Sequence, residues 1–332
     1  MIDLPELLIL DVGHGNCAIL RDTMAVTVID CGYDGVTLIE TLERLGIDEV
    51  DHILISHADI DHIGGLVPLV EEISVRNIYL NADASKKGRT WKDILITLES
   101  AEKSRKTKVH IGLTSGYSKE IISGEVDIEI LAPSASVAAS GPGGIDQDGH
   151  TLVSNSMSVV IGLIHDSCRT VLLPGDMDET GLKNLLRNHK EIEAKILVFP
   201  HHGGNPGSAD GLEFAQSLCN LVQPSLVIFS LQRELYDNPK ENIVHGVVTA
   251  LPNAHIVCTQ LSQKCSPALI SSDFSHLNSL PAKGRSSNIC CGGTIRIKID
   301  GDRTAYTPLY VLHRQFVKGL SSPLCLQHLN KL

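Results

Sequence analysis

Ser56-His57-Ala58-Asp59-Ile60-Asp61-His62-Ile63-Gly64-Gly65 sets four candidate metal ligands within six residues, directly after the apolar run Ile53-Leu54-Ile55. Two imidazoles and two carboxylates at the end of a buried strand are costly to dehydrate unless a cation sits among them. The plainer reading of His57, Asp59, Asp61 and His62 is a solvated helix N-terminus with capping aspartates. A divalent metal site, binuclear by its number of donors, is the reading against which the rest of the chain is set.

Two further clusters repeat the pattern. Leu172-Leu173-Pro174-Gly175-Asp176-Met177-Asp178 is an apolar strand ending in a Gly-Asp turn, which projects a carboxylate from a sheet edge. Leu197-Val198-Phe199-Pro200-His201-His202-Gly203-Gly204 is again a strand delivering imidazoles to a glycine loop. Each has an ordinary alternative: Asp176 as a turn residue, and one of His201 and His202 as a structural histidine. Three buried strands that each end in ligand-type residues nonetheless suggest convergence on one sheet edge.

Between these clusters the chain alternates strand and helix signals. Strands are expected at Leu7–Leu10, Ala18–Leu20, Ala25–Ile29, Ile53–Ile55, Asn77–Leu80, Val126–Leu131, Met157–Ile164, Thr170–Leu173, Ile196–Phe199, Leu226–Phe229, Ile256–Thr259 and Thr294–Ile299. Helical spacing of apolar residues predicts helices over Val36–Leu45, Ile63–Ile73, Trp91–Lys103, Asp178–His189, Leu212–Leu221 and Glu241–Leu251. Ser134–Gly149, rich in Ser, Ala, Gly and Pro, reads as a long mobile loop. No internal repeat is present. Strand-rich halves with helices between them suit two packed sheets with helices outside.

Composition sets limits. The 332 residues are 42% hydrophobic, ample for one large core, and no apolar run approaches the ~18 residues of a membrane span. A net charge of −11 argues against a broad nucleic-acid footprint, which needs a basic stripe. A small nucleotide, or a substrate delivered by a partner, remains compatible with it. The most basic stretches, Lys86-Lys87-Gly88-Arg89 and Lys103 to Lys108, read first as solvated faces. Nine scattered cysteines and an N-terminus without a basic leader point to reduced thiols and a cytoplasmic protein. Cys258, Cys265, Cys290 and Cys291 match no standard zinc-ribbon spacing and read as plain thiols.

The motif Ser-His-x-Asp-x-Asp-His-x-Gly-Gly resembles the signature of the metallo-β-lactamase superfamily. With Asp59 where most members carry histidine, it is similar to the hydrolase domain of ComEC-type DNA-uptake proteins. Asp11-Val12-Gly13-His14-Gly15-Asn16 resembles the family's opening motif, and Val28-Ile29-Asp30-Cys31-Gly32 its next one. Asn155-Ser156-Met157-Ser158-Val159-Val160, Leu173-Pro174-Gly175-Asp176 and Pro200-His201-His202-Gly203 follow in the family's order. The resemblance covers residues 6 to 260. It implies an αββα sandwich of two packed mixed sheets with helices outside, a hydrolase core over residues 1–264, and an extension over 265–332 that completes the same domain.

The resemblance also implies a site. His57 and Asp59 would hold one metal ion, Asp61 and His62 a second, and Asp176 would bridge both. One of His201 and His202 would complete the shell or donate a proton, with His202 the choice for a ligand. Asp30 would steady the metal-binding loops from behind. Such a pair of ions can generate hydroxide, with Asp61 orienting it and a His201 or His202 imidazole aiding the leaving oxygen.

Several positions depart from the family pattern. Asn16 stands for an aspartate and His14 for a glutamine, and His14 reads most simply as a turn residue packed near the site. Asn155 replaces a histidine and reads as a backbone-bonding residue. Asn238 falls where relatives carry the last histidine, and His245 is the residue that could compensate. An oxygen-rich, histidine-poor site lets Mn²⁺ or Mg²⁺ compete with Zn²⁺. The expected activity is phosphodiester hydrolysis on nucleic acid or a nucleotide. Alternatives are hydrolysis of an ester, lactam or thioester, or a catalytically weakened, metal-stabilised regulatory subunit. Relatives of this type are usually fused to membrane channels; a free-standing form suits a multi-protein system, with bacterial defence as the conjectured setting, and so a possible protein partner.

Overall fold

A computed structural model describes residues 4–83, 88–104, 107–117, 121–208, 210–268 and 274–326. The N-terminal strands are β1 (Glu6–Ile9), β2 (Cys17–Arg21), β3 (Val26–Cys31), β4 (Glu49–Leu54), β5 (Ser74–Leu80) and β6 (Lys108–Ile111). A second set comprises β7 (Asp127–Ala132), β8 (Val160–His165), β9 (Cys168–Leu173), β10 (Ile196–Val198), β11 (Leu226–Phe229) and β12 (His255–Cys258). Two late strands, β13 (Ile295–Lys298) and β14 (Ala305–Thr307), return to the first set. Among the described residues the sheet orders are β14-β13-β1-β2-β3-β4-β5-β6 and β12-β11-β10-β9-β8-β7. Strands β3 to β6 are parallel, as are β9 to β12.

Strand periodicity assigns each face. Along β1, Leu7 and Ile9 point between the sheets while Leu8 points outward, and along β4 Leu54 and Ile53 divide the same way. The inner layer packs Leu7, Leu54, Val171 and Ile228. Outside the first sheet, α1 (Val36–Arg44), α3 (Leu66–Glu72) and α4 (Arg89–Ser104) bury Leu38, Leu42, Leu69 and Ile94 against Ile53 and Ile78. Outside the second, α6 (Glu179–Asn188), α7 (Gly211–Val222) and α8 (Glu241–Ala250) bury Leu182, Leu218 and Val247 against Leu197 and Phe229. Each such side chain contributes about 1.5–3 kcal/mol. The result is an αββα sandwich.

Three local expectations change. The helix expected over Ile63–Ile73 is two helices, α2 (Ile60–Ile63) and α3, divided at Gly64-Gly65. A Cβ at Gly64 would overlap the Tyr33 carbonyl, and one at Gly65 the Cys31 carbonyl. These glycines let the ligand loop lie against the end of β3. The stretch Ser134–Gly149 is not all loop. It holds α5 (Ala135–Ser140), where the Ser134 hydroxyl accepts from the Val137 amide and Val137 packs with Leu152 and Met157. A turn follows in which Asp146 Oδ1 accepts the Asp148 and His150 amides, each at 2.9 Å. Beyond Thr294, α9 (Tyr310–Lys318) is a helix the apolar spacing had not indicated. Of the basic stretches, Lys86, Lys87, Arg105 and Lys106 lie outside the described residues.

Candidate metal centre

Loops that leave the carboxyl ends of β4, β9 and β10 carry the three ligand-rich clusters, beside Asp30 near the end of β3. Asp61, His62, Asp176 and His202 meet there, each offering a ligand atom within 4.8 Å of the others. All four are buried or nearly so. His62 Nε2 stands 3.1 Å from Asp176 Oδ1, and His202 Nε2 is 3.5 Å from the same oxygen and 3.2 Å from Asp61 Oδ2. His57 Nε2 approaches from the other side, 3.9 Å from Asp176 Oδ2 and 3.6 Å from Asp59 Oδ2. The two oxygens of Asp176 therefore face two different donor groups.

The imidazoles are held in one sense. His62 Nδ1 is 2.8 Å from Asp30 Oδ2, His202 Nδ1 is 2.9 Å from the Ser230 carbonyl, and His57 Nδ1 is 3.1 Å from Ser56 Oγ. Each ring thus engages its Nδ1 behind the site and turns Nε2 into it, the arrangement that fixes a metal-ligating tautomer. His57 Nε2 is buried without a hydrogen-bond partner, and His62 Nε2 and Asp176 Oδ1, though 3.1 Å apart, are not aligned to bond each other and have no other partner. Orphaned buried polar atoms are rare and costly. Three of them, all ligand-type and converging on one space, fit bound divalent cations.

Asp30, as the resemblance implied, and further residues to which no role had been given complete the frame. Asp30 Oδ1 accepts the Ser56 amide at 2.7 Å, and Ser56 Oγ donates to Asp30 Oδ2 at 2.7 Å. Asp83, fully buried, accepts the Ala58 amide, and Asn81 donates to the Met157 carbonyl at 2.7 Å. Ser158 Oγ accepts the Asp176 amide at 3.0 Å. Gly175 precedes Asp176 at φ 56°, where a Cβ would collide with Ser158 Oγ. Asp30, His201 and His202 themselves adopt left-handed backbone, at φ 57°, 53° and 55°. Such strain persists where the surroundings over-determine it, as at functional loops.

Charge follows geometry. Burial favours a neutral Asp61, but His62, His14 and His202 around it hold its carboxyl well below the usual carboxylate range. Asp176 is likewise lowered by His202 and His62 against its burial. Burial disfavours imidazolium at His202, yet Asp176 and Asp61 raise its pKa to about 9. His62 is raised too, by Asp176, Asp30 and Asp61 acting against burial, whereas burial and the nearby His62 lower His57.

The remaining sequence candidates divide. His14 is at the site: its Nε2 stands 3.1 Å from Asp61 Oδ2, and its ring lies 4.6 Å from that of His202. His201 is half-buried beside the cluster, with Nδ1 unpartnered. The Asn238 amide lies over Gly204 of the histidine loop, and its Oδ1 is buried and unpaired. Asn155 takes part through its backbone, its carbonyl accepting the Ser158 amide at 3.2 Å, and Asn16 likewise accepts the Gly32 amide at 3.0 Å. His245 is corrected: it is exposed on α8, whose neighbours Val244 and Gly246 turn inward, and it is not among the gathered residues. Helical periodicity points it to solvent.

The family model described as Metallo-beta-lactamase superfamily matches residues 10–213. The ComE operon protein 3 of Bacillus subtilis (strain 168) is 24% identical over 208 residues, which make up 62% of this chain and 23% of that protein. The chain thus spans less than a quarter of the length of that relative. Among solved structures, the metallo-beta-lactamase fold protein YhfI from Bacillus subtilis superposes with a TM-score of 0.48 at 13% identity, over 76% of this chain and 96% of that one. A diphosphatase from the PhnP family gives 0.43 at 14% identity, over 76% and 94%. Among the described residues no helix is long and apolar enough to cross a membrane.

Proposed function

The chain belongs to the metallo-β-lactamase superfamily, and from that premise we propose that it is a metal-dependent hydrolase of phosphodiester bonds in nucleic acid or a nucleotide. The observation that carries this reading is Asp176, whose two oxygens face separate donor groups with unpaired Nε2 atoms on both sides. His57 and Asp59 would hold one divalent ion, and Asp61, His62 and His202 the other, with Asp176 shared. Carboxylates contribute as many donors as imidazoles, so Mn²⁺ and Mg²⁺ compete with Zn²⁺ for the site. When bound, a pair of such ions supplies an acidified water and neutralises charge on attacking and leaving oxygens.

The chain's own residues orient and exchange protons. Asp61, whose Oδ2 His14 Nε2 approaches at 3.1 Å, is the acceptor that aims the attacking water. To His201, half-buried with an unpartnered Nδ1, we assign the transfer of a proton to the leaving oxygen. Asp59 is the most open of the set, its side chain 42% exposed, and it marks the mouth of the site. The resemblance of the Asp59-containing motif to ComEC-type hydrolase domains favours a phosphodiester over a lactam or thioester. The charge of −11 favours a small or partner-delivered substrate over unassisted duplex DNA.

The test is metal content and turnover together. Wild type is expected to hold about two equivalents of divalent metal and to hydrolyse bis(p-nitrophenyl) phosphate in Mn²⁺. Asp176→Ala should lose most of that metal, and Asp61→Ala should lower turnover by about 10²–10⁴-fold. Equal turnover by wild type and Asp61→Ala would identify a contaminant. Full metal occupancy with no turnover of any phosphodiester would leave a metal-stabilised subunit without catalysis.

A further inference from the structure

A cavity of about 460 Å³ lies between the edge strand β12 and helix α9. It sits at the opposite end of the second sheet from the candidate metal centre. Strands β9 to β12 are parallel, the ligand loops leave the carboxyl ends of β9 and β10, and His255 is the first residue of β12. Tyr310, His313, Arg314 and Val317 line the cavity from α9, one face of a helix by their spacing. His255 and, from β14, Tyr306 line it from the strands. Cavities of this size, with rings and apolar groups around a few polar ones, are typical of small-molecule sites.

Charge and ring geometry say what such a cavity would take. Arg314 is the only lysine or arginine among the lining residues, and no aspartate or glutamate lines it. In a chain of net charge −11, a wall with one cation and no acid stands apart. Among the described residues Arg314 forms no ion pair. Its guanidinium lies 5.4 Å from the Tyr310 ring centre and donates to the Tyr310 hydroxyl, which positions the cation in advance. Burial, with His313 and Arg314 nearby, pulls the His255 pKa down to about 3, so that ring is neutral. The His255 ring meets Tyr310 edge to face, centroids 5.0 Å apart, and lies 5.6 Å from Tyr306. It is fixed on both sides: Nδ1 is 3.1 Å from the Tyr306 hydroxyl, and Nε2 is 2.8 Å from His313 Nδ1. His313, only 1% exposed, is anchored in turn by Cys291 Sγ at 3.2 Å.

We propose that this cavity is a binding site for a small anion that carries a flat aromatic ring. The anionic group accepts from the Arg314 guanidinium, whose planar fork suits such oxygens. The ring packs among Tyr306, His255 and Tyr310, which are already ordered and so cost little further entropy on binding. The site is separate from the metal centre and does not rest on the reaction assigned there.

The experiment is calorimetric titration of the full chain with naphthalene-2-sulfonate, a flat ring whose anionic group is a poor metal ligand. It should bind saturably at about one equivalent, with a Kd below about 1 mM. Treatment with a chelator should leave that affinity unchanged. The neutral naphthalene-2-sulfonamide and plain sulfate, each lacking one half of the proposed ligand, should bind at least about 10-fold more weakly. Arg314→Gln, which removes the charge and keeps a good helix former, should weaken the sulfonate by about 10-fold or more. Tyr310→Leu is the second variant and should weaken it as well. No saturable binding, affinity lost with the chelator, equal binding of the sulfonamide, or full affinity in Arg314→Gln would each overturn the proposal.

Discussion

Ser56 Oγ touches Asp30 Oδ2, His57 Nδ1 and His62 Nδ1 at 2.7, 3.1 and 3.2 Å, so one hydroxyl braces both imidazoles of the central motif. Ser56→Ala should cost about 1–3 kcal/mol of stability, measured by urea unfolding. Metal affinity should weaken by about 10–100-fold in a competition titration; unchanged affinity would mean packing alone sets the rings. A second residue gives a pH effect remote from the candidate metal centre. Burial lowers the pKa of His52 against the opposing Ile122 carbonyl bond and Asp51. Folded protein then binds fewer protons here than unfolded protein, so this site costs no stability above the unfolded value of about 6.5 and lowers stability as pH falls below it. His52→Gln should narrow the Tm difference between about pH 7.5 and pH 5. The candidate ligands stood out because charged residues at the end of an apolar run demand an explanation. Ser230 did not, and the motifs that contain Ser56 and Ser158 did not show which groups their hydroxyls bond, since a tertiary contact through a serine has no sequence pattern.

Elements show a similar division. Helix α7 begins at Asp210, whose carboxylate accepts the Leu212 amide at 2.7 Å and the Glu213 amide at 3.4 Å. Asp210→Ala should destabilise by about 1 kcal/mol without changing turnover, seen as a lower urea midpoint at constant m. A larger loss would mean the cap also fixes the histidine loop upstream. Helices with a clear apolar stripe, α1, α6 and α7, could be read directly from spacing. Helix α5 could not, because Val137 is its single buried side chain. Helix α9 hid for the opposite reason: Val311 and Leu312 are apolar yet exposed, while His313 is buried, which scrambles the periodicity. The break at Gly64-Gly65 was masked by continuous apolar spacing across it, and only the close approach of β3 reveals it.

At the scale of the molecule, the stretch beyond residue 264 supplies β13, whose Ile295 and Ile297, with Ile299 just beyond, are fully buried in the layer between the sheets. A chain ending at 264 would expose the free edge of β1 and the apolar surface those residues cover. Such a truncation is expected to be insoluble or to unfold without cooperativity in calorimetry; a soluble, cooperative and active fragment would establish an independent core. The two-sheet sandwich was legible because both halves repeat strands and helices in the same rhythm. The pairing of β13 with β1 was not, since register between strands so distant in sequence is set by the assembled core.

That pairing has a consequence for the birth of the protein. Glu6 lies opposite Lys298, so the first strand has one edge open until the chain has been translated through β13. At ribosomal speeds the roughly 290 intervening residues take on the order of 15–60 s. During that interval the loop beginning at Asp11 lacks Gly284 and Thr294, two of its anchors. Until the chain has passed β13, the loop that carries His14 to the candidate metal centre therefore lacks part of its frame, and the site is completed late in synthesis.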